Sequence, residues 1–87
     1  MLQFEFDLTK SRANKAKHGI DFVEAQALWD DTDLIEVPAR TEDEPRAVVI
    51  GRIGDRCWPA IITYRNEAVR IISVRRARAE EEELYEG

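Results

Sequence analysis

Val69-Arg70-Ile71-Ile72-Ser73-Val74-Arg75-Arg76-Ala77 is at once the most strand-like stretch of the chain and its densest run of positive charge. The β-branched residues Val69, Ile71, Ile72 and Val74 suit a pleated, half-buried surface. Strict alternation puts Val69, Ile71, Ser73 and Arg75 on one face and Arg70, Ile72, Val74 and Arg76 on the other. As the most apolar run, with strand candidates able to pair on either side, it reads as the central strand of a sheet. Three arginines on such a strand point to an anion as their target.

Eighty-seven residues make one domain, 1–87, with a thin core. A hydrophobic share of 44% beside 36% charge predicts a folded chain. The net charge of −5 argues at first against a nucleic-acid partner, but it is unevenly spread. From Pro45 to Ala79, eight arginines (46, 52, 56, 65, 70, 75, 76 and 78) stand against Asp55 and Glu67; this segment carries +6 and the rest −11. A basic patch on an acidic protein still binds phosphate, with weaker long-range steering. Cys57 and His18 are the only residues of their kinds, which excludes an internal disulfide and a metal cluster. A reducing cytoplasm is the natural setting, and no cofactor is expected. No apolar run has the length of a membrane span or a signal-peptide core, so no membrane partner is expected.

In chain order, Leu2-Gln3-Phe4-Glu5-Phe6 alternates as a short strand with Leu2, Phe4 and Phe6 inward. Asp7 stands where an N-cap belongs, ahead of a polar helix from Leu8 to Lys17 that Gly19 stops. Lys10, Asn14 and Lys17 share one face of this helix, and His18 lies at its end. Asp21-Phe22-Val23-Glu24 resembles a capping box opening a second helix that buries Phe22, Ala25, Leu28 and Trp29. An antiparallel meander then follows. Its strands are Leu34–Val37, Arg46–Arg52, Cys57–Tyr64 with Pro59 as a candidate bulge, and the arginine strand. Arg78–Glu86 closes the chain as a helix. The expected class is α+β: an antiparallel sheet of four to five strands, two N-terminal helices and a C-terminal helix.

Asn14-x-x-Lys17-His18-Gly19-Ile20, Phe22-x-x-Ala25, Glu44-x-Arg46 with Gly51, and Arg70-Ile71-Ile72-Ser73-x-Arg75-Arg76-Ala77 with Glu81 and Tyr85 together resemble the BrnT family of toxins. The resemblance runs in order over almost the whole chain. It implies a RelE-like fold, metal-independent endoribonuclease activity that arrests translation, and neutralisation by a ribbon-helix-helix antitoxin. Such pairs form assemblies of two toxins and two antitoxins, and operator DNA is bound only through the antitoxin. The chain departs from the family's pattern at Phe6, usually Trp; at Arg78, usually a Thr cap; and at Glu80, Glu82 and Glu83, usually basic. These last changes remove positive charge from the helix after the arginine strand, as expected of a weakened, specialised or inactive member retained as an antitoxin-binding module.

Metal-free RNA cleavage uses the ribose 2′-hydroxyl as nucleophile, so it needs a base, cations for the charge on phosphorus and a donor for the leaving oxygen. Arginine holds phosphate oxygens bidentately and stays charged. Arg75 and Arg46 are the first candidates, with Arg65 next; His18 or Glu44 is the candidate base, His18 for its ordinary pKa near neutrality. Lys17, Arg70, Arg76 and Tyr85 are candidate RNA contacts, and Tyr64, Tyr85 or Trp58 offers a ring for stacking a base. A plain RNA-binding domain is disfavoured, because aromatic and basic residues do not interleave. Each candidate also has a plainer role: His18 as a helix-end cap, Trp58 as packing, the arginines as partners of the many carboxylates.

Overall fold

The computed structural model describes residues 2–39 and 45–87. The chain runs through β1 (Gln3–Glu5), α1 (Leu8–His18), a 3-10 helix (Glu24–Asp30), β2 (Ile35–Ala39), β3 (Arg46–Ile53), β4 (Arg56–Arg65), β5 (Ala68–Val74) and α2 (Ala79–Glu86). The five strands form one sheet in the order β1-β5-β4-β3-β2. β2 to β5 are antiparallel, as expected, but β1 pairs parallel to β5 through Gln3–Ala68, Phe4–Val69 and Glu5–Arg70. The sheet is therefore mixed. Its middle strand is β4, not β5, because the N-terminal strand takes the outer edge beside β5. The composition of β4 suits that place: Cys57, Trp58, Pro59 and Ala60 are buried in succession, on both faces.

Local signals set the helix ends. Asp7 accepts the Lys10 N–H at 3.0 Å, and Gly19, at φ 82°, closes α1 with its N–H on the Lys15 carbonyl at 2.9 Å. The Asp21–Glu24 box is reciprocal: Glu24 N–H donates to Asp21 Oδ1 at 2.7 Å and Asp21 N–H to Glu24 Oε1 at 3.0 Å. The element after it is a seven-residue 3-10 helix rather than a second α-helix. One such short segment suffices to swing Ala25 and Leu28, both 0% exposed, onto the sheet. Gly51 permits the approach, since a Cβ there would sit 2.7 Å from Leu34 Cδ1 and 3.2 Å from Leu28 Cδ2.

The core lies on the face of the sheet covered by these N-terminal elements. It joins Ile20, Phe22, Ala25 and Leu28 to Val49, Trp58, Ala60, Ile62, Val69, Ile71 and Val74. Phe4 and Phe6 pack at its margin, edge-on against Trp29 and Phe22 at 4.9 and 5.9 Å. Pro59 is no bulge; it pairs with Ile50 in regular register. The irregularity lies further on, where Ile62 faces Ile71 but Ile61 faces Ser73, leaving Ile72 as an extra residue in β5. Strict alternation fails there.

Candidate functional site

The extra residue rephases β5. Val69, Ile71 and Val74 all point into the core, and the side chains between them, Arg70 and Ser73, turn with Arg75 to the opposite face. Arg70 and Arg75, on opposite faces under strict alternation, thus share one. Arg70 pairs with Thr63 of β4, and Arg46, one step beyond the Ala47–Ile62 pair, flanks Thr63 from β3. Arg65 lies on the same face, two residues along β4. Register alone therefore gathers four of the sequence-predicted residues, Arg46, Arg65, Arg70 and Arg75, on the face away from the core. Between the two ends lie half-buried Val48, Ile61 and Ser73 and the Thr63 hydroxyl, which donates to the Pro45 carbonyl at 2.7 Å.

The backbone at Arg75 is held from both sides. On the β4 side its N–H donates to the Pro59 carbonyl at 3.2 Å, and Ala77 N–H to the Cys57 carbonyl at 3.1 Å. Pro59 has no N–H to return, so the ladder slackens where the chain turns toward α2. On the other side β1 has already ended opposite Arg70. Asn14 takes the place of a strand neighbour: Val74 N–H donates to its Oδ1 at 3.3 Å, and its Nδ2 donates to the Val74 and Ile20 carbonyls at 2.9 and 2.8 Å. Asn14 is 7% exposed, so it does not share a solvent face with Lys10 and Lys17. Ser11, 3% exposed, accepts the Phe22 N–H at 2.9 Å. A helix whose buried positions are Ser11 and Asn14 attaches by hydrogen bonds, and the lack of an apolar stripe in Leu8–His18 is the signal of it in the sequence.

The cations have carboxylate company. Arg75 holds Glu81 bidentately, Nη1 on Oε1 and Nη2 on Oε2, both at 2.8 Å. The hydrogen bond from Arg75 holds the Glu81 carboxyl below the usual range, and Glu81 raises the Arg75 guanidinium in turn. Glu81 also accepts the Arg78 N–H at 2.8 Å, so one carboxylate both starts α2 and covers Arg75. Arg70 Nη1 lies 3.3 Å from Glu5 Oε1. Arg46 and Arg65 also have interaction partners.

The remaining sequence-predicted residues stand elsewhere. Lys17 and His18 end α1, and among the described residues no hydrogen bond or ion pair joins either to the four arginines. Glu44 lies outside the described residues. The Tyr85 hydroxyl donates to Asp31, which holds its proton up to about 12, while Arg52 stacks over its ring at 5.4 Å. Tyr64 is 55% exposed on the core-side face and donates to Glu36. Trp58, 8% exposed, is core and does not stack a base. Arg76 is exposed at the end of the sheet.

A small α+β protein with an arginine-bearing sheet face is suited to binding a polyanion. Residues 6–81 match the family described as the ribonuclease toxin, BrnT, of type II toxin-antitoxin systems, and the chain belongs to that family. Family membership makes it a ribonuclease toxin by class and implies an antitoxin partner. Comparison with curated proteins gives no match. Among the described residues no helix is long and apolar enough to cross a membrane.

Proposed function

We propose that the chain is a metal-independent endoribonuclease that arrests translation by cutting RNA on the arginine face of its sheet. The observation that carries this reading is the rephasing of β5, which sets Arg70 and Arg75 on one face with Arg46 and Arg65. A phosphodiester lying across this face meets guanidinium groups at both ends of a floor of Val48, Ile61, Thr63 and Ser73. The ribose 2′-hydroxyl loses its proton to a base, its oxygen attacks phosphorus, and the P–O5′ bond breaks as a general acid protonates the 5′-oxygen, giving a 2′,3′-cyclic phosphate and a 5′-hydroxyl. Arginine stabilises the charge that develops on the phosphoryl oxygens. His18 and Glu44 are the proposed bases; Lys17, Arg76 and Tyr85 are proposed RNA contacts.

The fold is proposed to be RelE-like and the partner a ribbon-helix-helix antitoxin, in an assembly of two copies of each that reaches operator DNA through the antitoxin. A second reading has one specific observation in its favour. Glu82, one of the acids at which the chain departs from the family's pattern, lines a cavity with Arg52, Arg56 and Arg76, as expected of a member that binds its antitoxin but cleaves poorly.

Incubation with bulk RNA in the presence of a chelator, beside the Arg46→Ala/Arg75→Ala variant, tests the activity. Cleavage by the unaltered chain alone, with 2′,3′-cyclic phosphate ends, is the expected result. Intact RNA in both samples, with a tight antitoxin complex, selects the second reading.

A further inference from the structure

We propose that Arg52, Arg56 and Arg76 form a second phosphate subsite at the end of the sheet, taking a backbone phosphate of the RNA strand that passes Arg75. This rests on the ribonuclease reading of the arginine face. The three guanidinium-bearing residues line a small polar cavity of about 130 Å³, together with Cys57, Asp55 and Glu82. At roughly 30 Å³ per water it has room for about four waters, which suits a tetrahedral oxyanion and not a nucleoside.

Their pairing separates these arginines from the rest. Arg70 and Arg75 are matched by Glu5 and Glu81. The Arg56 and Arg76 side chains, by contrast, make no hydrogen bond or ion pair among the described residues. Arg52 is braced over the Tyr85 ring and reaches Glu86 only at 3.8 Å. Two arginines without a side-chain partner among the described residues and one braced arginine therefore line one cavity, with Asp55 and Glu82. Cys57, whose thiol burial pushes up, supplies a neutral wall. Ala77, two residues beyond Arg75 and hydrogen-bonded to Cys57, lines the same cavity, so a strand with one phosphate at Arg75 brings its neighbour to this end of the sheet. Glu82 opposes the anion across the cavity and sets how tightly it is held.

The probe is a short single-stranded oligonucleotide with 2′-O-methyl riboses, which binds without being cut, followed by fluorescence anisotropy over a salt series. Arg56→Ala/Arg76→Ala, both at exposed positions, is expected to weaken binding roughly tenfold, the scale of one charge-assisted hydrogen bond. The slope of log affinity against log salt should fall by about 0.7 for each phosphate that is no longer neutralised. Glu82→Gln is expected to tighten binding. Circular dichroism checks that the variants fold. Unchanged affinity and slope in the double variant overturn the subsite, as does a double variant that binds inorganic phosphate more weakly but holds the oligonucleotide as before. Cleavage of unmodified RNA by the unaltered chain reports separately on the ribonuclease reading, so either idea can fail without the other.

Discussion

The Tyr85 hydroxyl donates to Asp31 Oδ2 at 2.6 Å, and the same oxygen accepts the Arg52 N–H at 2.8 Å. One carboxylate thus ties the last helix to the segment after the 3-10 helix and to β3. Among its described residues α2 buries none, so polar tethers at Glu81 and Tyr85 hold it on the sheet.

Tyr85→Phe is expected to loosen α2 while the sheet keeps its order, seen as faster amide hydrogen exchange confined to 82–87. The tether should also have two pH limits. Hydrogen bonding from Tyr85 lowers the Asp31 carboxyl, so its contribution is present above the ordinary value of 3.8 and fades as pH falls below it. Tyr85 is raised from 10.0 to about 12, so its contribution is full below 10 and is lost as pH climbs through that interval. Exchange protection of α2 that is flat across both limits contradicts the tether.

Arg75 is the cation whose removal should cost most in catalysis. Arg75→Ala is expected to lower kcat by about 10²- to 10³-fold, the usual cost of removing a preorganised charge-stabilising donor. Arg75→Lys should recover little, because an ammonium cannot reproduce the bidentate geometry. Single-turnover cleavage of a defined RNA gives the comparison.

Asn14→Ala should destabilise the fold by about 2–3 kcal/mol, since the carbonyls of Ile20 and Val74 and the N–H of Val74 are left without their buried partner together. Asn14→Asp should not rescue it, because a carboxylate offers those carbonyls no donor. Urea midpoints for the three proteins decide the matter.

Asn66 and Glu67, at φ 49° and 68°, form the two-residue turn between β4 and β5. Glu67 occupies a left-handed position that glycine fills without strain, so Glu67→Gly should stabilise by about 0.5–1 kcal/mol. A lower thermal midpoint would show instead that the Glu67 side chain has a role in the turn.

What is legible in the sequence is what a few adjacent residues determine. Asp7 and Gly19 act within one helical turn and cap α1 as expected, and the Asp21–Glu24 box forms its reciprocal hydrogen bonds, although the helix after it is 3-10 and begins only at Glu24. The direction of β1 is hidden because its partner lies 65 positions away, from Gln3 to Ala68. Asn14 escapes a helical wheel, which assigns polar residues to solvent, whereas here a polar side chain serves as a strand edge. The arginines are visible as a group, yet strict alternation divides Arg70 from Arg75 because it counts Ile72 as paired. A bulge is a property of two strands together, and β5 alone carries no mark of it.

The bulge makes the arginine face a matter of parity. Between Arg70 and Arg75 lie four residues, and with Ile72 unpaired they count as three. An odd count returns the second arginine to the side of the first. Deleting Ile72 would leave a regular strand in which Arg70, Val74 and Arg75 each keep their present side, so the extra residue is slack that the ladder has already absorbed. Deleting Ile72 and Ser73 together would leave an even count with no residue to spare, and Arg75 would turn inward unless a new bulge formed. A single deletion in this strand should therefore be milder than a double one, the reverse of what length alone would suggest.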